Sequence, residues 1–364
     1  MEKLNDNAAL PPFCLASGPL WQPIIYSTLS IVGIKDFVLR GYDLDEPLEC
    51  TFISRSVSDT YKLSTPTARY ALKIYRTGWR STQDILWELS ALDHVERRGV
   101  NIARPVLRKD GRLITEVRAP EGMRSAVLFQ WANGTAPKYT EPEHARQYGQ
   151  LLARLHEAGE AMPLKCSRPM MDRAYLLDSP LALIRTRLMD RPDISANLDA
   201  LEARVSARLA EVEQEDLDWG FCHGDVWLNN ARFDGDRLVL FDFDFAAKGW
   251  RIFDLASYRW DARRRGMEHR AWDPFIDGYM QVRRAVAPSL RFVGLFMLLK
   301  HLWTTAFFIE RAPETGTNFL SDEELEDLVP SCERIEAEAG GYRGVGDGHA
   351  KGAHPVAPKE VAAS

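Results

Sequence analysis

The chain has 364 residues, 45% hydrophobic and 27% charged, enough for one large domain or two modest ones with a substantial core. A formal net charge of −6 leaves no basic excess of the kind that a nucleic-acid partner requires. Cys14, Cys50, Cys166, Cys222 and Cys332 are dispersed, with no Cys-x-x-Cys or His/Cys metal spacing, which fits reduced thiols in a cytoplasmic protein.

Asp6, Pro11 and Pro12 stand where a signal peptide needs an apolar run, so residues 1–27 read as an extension. Short alternating runs then predict strands over Glu49–Ile53, Thr60–Leu63 and Ala68–Tyr75, split by polar turns. Ser81 or Thr82 caps a predicted helix to about Arg98, with Ile85, Leu86, Leu89 and Leu92 at helical spacing. Extended segments return at Arg112–Val117 and Ser125–Gln130. Residues 28–130 are thus expected to form a small antiparallel sheet with one helix, and Gln130–Gly134 to connect it to a helical part, 131–339.

From Glu141 the pattern turns helical. Tyr148, Leu151, Leu152 and Leu155 form one stripe, and further helices are predicted near 180–190 and 196–213. A hairpin interrupts them, with extended runs at Gly220–Cys222, Ala231–Phe233 and Leu238–Phe241 around a turn at Asp234-Gly235-Asp236. Helices resume from about Ile252 to Ile309. The apolar run Val293–Ile309 holds Lys300 and His301 and reads as a core helix too short to span a bilayer, so no membrane partner is expected. Residues 340–364, rich in Gly, Ala, Pro and His, read as disordered.

The chemistry concentrates in Cys222–Asn230 and Leu240–Asp244. Asp225 is placed to take a proton from an acceptor hydroxyl. Asn230, on the same short loop, offers an amide oxygen to a hard cation. Asp242 leaves an apolar strand and adds a carboxylate. A base, a neutral ligand and an anionic ligand are what phosphoryl transfer from Mg·ATP to a hydroxyl needs. Lys73 sits in the β-branched and aromatic run Tyr70–Tyr75, where a lysine is out of place unless its ammonium is used. Glu88, on the flank of the next helix, is its expected partner, with Asp84 and Glu96 as weaker candidates; the pair would hold the ammonium on the α- and β-phosphates. The turn Ser54–Asp59 would cover the phosphates through hydroxyls such as Ser56 and Ser58, since it holds no glycine. Asp244 reads equally as a second metal ligand or a loop cap. Asp254, His156 and His223 read as bracing residues. Trp227, Trp250 and Tyr258 read as core or as walls of an acceptor pocket.

These residues resemble the aminoglycoside phosphotransferase and choline-kinase-like family. The resemblance runs over roughly residues 30 to 310 and rests on His223-Gly224-Asp225 with Asn230, on Asp242, and on Phe253-Asp254-Leu255-Ala256. Ala71–Arg76 and Leu151–His156 share the family's look. Gly78-Trp79-Arg80 brings the chain nearer to the branch with the RdoA-type stress-response kinase and homoserine-kinase-like enzymes. The resemblance implies an α+β, bilobal protein-kinase-like fold, with ATP between the lobes and adenine against Phe129, Gln130 and Trp131. It implies Asp225 as catalytic base, Asn230 and Asp242 as Mg²⁺ ligands, and Lys73 on the phosphates. Trp227 stands where many members carry histidine.

The expected activity is transfer of the γ-phosphate of ATP to the hydroxyl of a small, amino-bearing molecule. A haloacid-dehalogenase-type phosphatase would use Asp242 and Asp244 but leave Asp225, Asn230 and Lys73 idle, and Ala246 stands where that class carries Thr or Val. The same residues also admit a Ser/Thr protein kinase of the RdoA type or a non-catalytic nucleotide-binding module. The short stretch from Asp242 to Ile252 leaves little platform for a peptide. Oligomeric state is left open.

Overall fold

The computed structural model describes residues 24–46, 48–160, 162, 165, 167–215, 217–315 and 321–338. Most of the expected N-terminal extension and all of the expected tail at 340–364 lie outside the described residues.

Strands β1 (Glu49–Arg55), β2 (Ser58–Ser64), β3 (Arg69–Tyr75), β4 (Ile114–Ala119) and β5 (Gly122–Gln130) form an antiparallel sheet in the order β1-β2-β3-β5-β4. Side-chain alternation along β3 gives the sheet two different faces. Leu72 and Ile74 join Ala126 and Leu128 under a short helical run that opens with α1 (Ile31–Gly33) and continues through Ile34–Val38 and Leu39–Gly41. Tyr75, Val127 and Phe129 turn the other way, into a core with Ile85, Leu89, Leu92 and Val95 of helix α2 (Thr82–Glu96). Ser81 caps α2 with a reciprocal box: its hydroxyl accepts from the Asp84 N–H while the Asp84 carboxylate accepts from the Ser81 N–H.

The second half carries α3 (Pro142–Ala158), α4 (Ser179–Arg187), α5 (Pro192–Gln214), β6 (Trp219–Cys222), β7 (Ala231–Asp234), β8 (Arg237–Leu240), β9 (Ala247–Trp250) and α6 (Ile252–Arg264). It closes with α7 (Glu268–Val282), α8 (Val293–Thr315), α9 (Asp322–Glu326) and α10 (Leu328–Glu338). Helix α5 begins earlier than expected because Pro192, with its preset φ, sits in the first turn. The expected hairpin is only β7 with β8; β6 pairs instead with β9, a four-residue strand whose glycine and lysine hide its character. Helices fill Ile252 to Ile309 as expected, as α6, α7 and α8 separated at Gly266 and by a 3₁₀ stretch, Arg284–Phe292.

Helix α8 corrects the length argument against a membrane span. The helical run Arg284–Glu314 is long and apolar enough to cross a bilayer, yet 72% of its apolar window is buried inside the protein. Leu295, Phe296, Leu298, Leu299 and Leu302 are all fully buried, so α8 is the central helix of this half.

Candidate active site

Strand β6 delivers the loop that carries Asp225. Gly224 turns the chain with φ 82°, and a Cβ there would sit 2.3 Å from the Phe245 carbonyl oxygen, so glycine alone fits. The loop is pinned by Asp254 at the start of α6. Its carboxylate accepts from the backbone N–H of His223 (2.7 Å) and of Gly224 (2.8 Å), and from His156 Nε2 (2.9 Å). Tyr279 donates to His156 Nδ1 at 2.7 Å, which fixes the neutral tautomer. Burial lowers the His156 pKa against the pull of Asp254. The His223 ring packs on Phe243, with Nε2 3.1 Å from the Phe241 carbonyl and Nδ1 accepting from the Asp225 N–H. Asp254, His156 and His223 are therefore braces.

Asp225 is left with a carboxylate 26% exposed and held on both oxygens. Asn230 Nδ2 donates to Oδ2 (3.0 Å) and to the Asp225 carbonyl (2.9 Å), leaving the Asn230 amide oxygen for another partner. The Lys300 ammonium, from α8, lies 3.2 Å from Oδ1.

Strand β8 ends at Leu240, and Asp242 stands two residues beyond it in the left-handed region, φ 64°, the only described non-glycine residue with positive φ. That backbone costs on the order of 1 kcal/mol and survives where the surroundings over-determine it, commonly at functional sites. Here Lys73, buried on the central strand β3, supplies the determination: its ammonium is 2.6 Å from Asp242 Oδ1 and 2.7 Å from Asp244 Oδ2. Burial opposes the Lys73 charge, but the two carboxylates outweigh it and raise its pKa. Although its side chain is 45% exposed, the protein packed around Asp242 works against its ionisation, and Lys73 outweighs this and holds its carboxyl below the usual range. Asp244 is 1% exposed, and burial pushes its carboxyl up to about 6, with Lys73 opposing and Asp242 adding to the rise. Ser58 Oγ reaches Asp244 Oδ2 at 3.3 Å, while Asp244 Oδ1 has no hydrogen-bond partner.

The expected Lys73–Glu88 ion pair is not formed. Glu88 is buried against Arg168 and accepts from the Tyr75 hydroxyl (3.3 Å). Arg168 Nη1 in turn reaches the carbonyls of Phe243 (3.0 Å), Asp244 (3.1 Å) and Ala246 (2.9 Å), and so ties α2 to the segment after Asp242. Asp84 caps α2 and Glu96 pairs with Arg104, so neither of these acids reaches Lys73. The expected Ser54–Asp59 turn contracts to Ser56 and Val57, and the Ser56 carbonyl accepts from Arg311 of α8. At the connection, Phe129 is buried and Gln130 ends β5. The N–H groups of Gln130 and Trp131 already donate to the carbonyls of Arg104 (2.7 Å) and Arg69 (3.1 Å), so neither donor is available to a base. Trp250 packs on Trp219 and Phe296 in the core, away from the role of pocket wall.

Lys300, Arg168 and Arg80, which donates to the Asp244 carbonyl at 2.8 Å, were not legible as site residues. For Lys300 a signal existed: a lysine within an apolar helical run needs a buried anion.

Two carboxylates and an amide oxygen, with a paired lysine, are the kinds of side chain that kinase-type phosphotransfer uses. The chain belongs to the phosphotransferase enzyme family, whose model matches residues 49–292. It is 35% identical over 303 residues to an uncharacterized protein of Deinococcus radiodurans, covering 82% of this chain and 87% of that one. It is 29% identical over 264 residues to the homoserine kinase of Allorhizobium ampelinum, covering 71% and 79%. Among solved structures, amicoumacin kinase hAmiN in complex with AMP-PNP, Ca2+ and Ami superposes with a TM-score of 0.67 at 18% identity, over 85% of this chain and 94% of that one. That likeness gives the fold: the sheet with α2 is the small lobe and the helical half the large lobe of a kinase-like α+β architecture. The protein is an enzyme, a phosphotransferase of the kinase type.

Proposed function

We propose that this enzyme moves the γ-phosphoryl group of ATP to the hydroxyl of a small, amino-bearing acceptor of the homoserine type, with Mg²⁺. The observation that carries the reading is the convergence of Asp225, Asn230, Asp242 and Lys73 from β3, the loop after β6 and the segment after β8. The donor set suits Mg²⁺, a hard cation that takes one or two carboxylates and completes its shell with phosphate oxygens and water. Asp242 is the exposed carboxylate (45%), Asn230 has an uncommitted amide oxygen, and Asp244 Oδ1 is unpartnered, so the three residues fit the ion. Among the described residues no three His, Cys, Asp or Glu side chains cluster as a metal cage, which agrees with a site that relies on its substrate for ligands. Bound Mg·ATP would supply the phosphoryl group and offset the charge on its phosphates.

Lys73 would hold non-bridging phosphate oxygens, and the nucleotide would draw it from Asp242 and Asp244. Asp225 hydrogen-bonds the acceptor hydroxyl through a carboxylate oxygen and takes its proton as the new O–P bond forms. The Ser56–Val57 turn, next to Ser58 and its contact with Asp244, would cover the phosphates. Only Phe243–Ala246 separate the Asp242 position from β9, too short a segment to bed a peptide, which favours a small acceptor over a protein. The relative named a homoserine kinase supports the acceptor class.

The test offers Mg·ATP with L-homoserine, ethanolamine, an aminoglycoside and casein, and identifies any phosphomonoester by mass. Phosphohomoserine or another small amino-alcohol phosphate, absent with Asp225→Asn, is the expected result. Label on casein alone would replace this reading with that of a protein kinase.

A further inference from the structure

We propose that Lys300 is a catalytic residue of this enzyme, whose ammonium passes from Asp225 to the transferring phosphoryl group. The proposal rests on the phosphotransfer reading above, and Lys300 lies beyond the residues 49–292 that the family model matches.

Lys300 is 5% exposed in the middle of α8, among Leu298, Leu299 and Leu302, each fully buried. An ammonium buried in apolar surroundings costs several kcal/mol unless it is paired. Among the described residues its single ion-pair partner is Asp225, at 3.2 Å. The remaining sides of the charge face aromatic rings, Trp303 at 4.6 Å and Phe253 at 5.7 Å from the ring centres. These rings favour a cation but accept no conventional hydrogen bond, so Lys300 keeps donor capacity beyond its one bond to Asp225.

The reaction changes what that ammonium faces. At the start the negative charge is on Asp225. As the acceptor oxygen bonds to phosphorus and the bond from phosphorus to the β-phosphate oxygen breaks, the hydroxyl proton moves to the Asp225 carboxylate, which becomes neutral. Charge is then spread over the transferring phosphoryl oxygens, bonded to the oxygen that Asp225 has just released. That oxygen lies within hydrogen-bond reach of Asp225, about 3 Å, so the phosphoryl group forms beside Lys300. A long side chain with three donors can turn from one anion to the other without leaving its aromatic seat. An interaction that strengthens as the transition state forms raises kcat rather than ground-state binding.

The experiment compares the parent with Lys300→Met, which keeps the length and apolar packing of the side chain, and with Lys300→Arg, which keeps the charge. The readout is the affinity for Mg·ADP with and without aluminium fluoride, whose complex mimics the transferring phosphoryl group and needs no known acceptor. Thermal melting checks the fold. The expected result is that aluminium fluoride tightens Mg·ADP in the parent, and that this gain falls by about 10²-fold in Lys300→Met, in line with the loss of one transition-state donor. Mg·ADP alone should bind both proteins equally, and Lys300→Arg should recover part of the gain. If Lys300→Met, melting like the parent, keeps the full gain, Lys300 is only a structural partner of Asp225 while the kinase reading stands. If aluminium fluoride tightens Mg·ADP in no protein, both the phosphotransfer reading and this role are overturned.

Discussion

Asp225 and Asp254 are both aspartates near one loop, and their surroundings assign them opposite work. Asp225 keeps an exposed edge and pairs with the Lys300 ammonium and the Asn230 amide, which suits the proton-accepting role proposed for it. Asp254 is fully buried, spends its oxygens on two backbone N–H groups and His156, and is held below the usual carboxylate range: burial raises its pKa, and the His156 hydrogen bond together with the other groups around it, the Gly224 N–H among them, outweighs that. Asp225→Asn should therefore lower kcat by about 10³-fold, within the range for a lost general base, and should cost less stability than removing Asp254, because the new amide oxygen can still accept from Lys300. Asp254→Ala should instead leave three buried donors unpaired, the N–H groups of His223 and Gly224 and the His156 ring N–H, and cost about 3 kcal/mol in urea unfolding. A variant pair in which the stability loss falls on Asp225 would reverse the assignment.

Elements, more than single residues, show where the sequence was legible. The β3 lysine, the α2 cap and the Asp225–Asn230 loop follow from local pattern, since alternation, capping and loop chemistry act over a few residues. The partner of Lys73 did not follow: choosing among Glu88, Asp242 and Asp244 depends on how α2 and the segment after β8 meet, and Arg168 decides it by claiming Glu88. Glu88→Ala should take the carboxylate from a buried guanidinium and cost about 3–5 kcal/mol, whereas Glu88→Leu with Arg168→Met should recover only part of that loss, because the carbonyls of Phe243, Asp244 and Ala246 lose their donor. Both are read by urea denaturation, and an additive pair would show that the ion pair does not join the two elements. The strand β9 was also missed, because Ala247-Lys248-Gly249-Trp250 has no strand signature apart from its pairing with β6. Close approach of α3 to α7 was equally invisible: a Cβ on Gly149 would lie 2.0 Å from the Phe275 carbonyl oxygen. Gly149→Ala should cost about 1–3 kcal/mol by forcing these helices apart.

For the molecule as a whole, burial of neutral histidines ties stability to pH. His301 keeps part of its surface open, but the protein packed around it pushes its imidazole down to about 4, and Arg264 adds to the shift; fully buried His156 is lowered in the same sense. An unfolded histidine titrates near pH 6.5, so below that value the unfolded chain binds protons that the folded one refuses. The histidine share of stability should fall as pH drops from about 6.5 and, for His301, level off below about 4, while Asp244, raised to about 6, works in the opposite sense below that value. Melting curves from pH 7 to 5 should show the decline, and His301→Gln should flatten part of it; an unchanged slope in that variant would remove His301 from the account. The bilobal organisation was readable from the change of periodicity near Glu141, but the role of α8 was not. A helix that is apolar over most of its length reads as core, and only its position across from the Asp225 loop turns Lys300 toward the site.

The central claim is phosphoryl transfer at the Asp225 site, and the most direct measurement is the rate of ADP release from Mg·ATP with and without L-homoserine, in the parent and in Asp225→Asn. The account predicts acceptor-stimulated release by the parent and its loss in Asp225→Asn, with nucleotide affinity retained. Equal stimulated rates in the two proteins would contradict it.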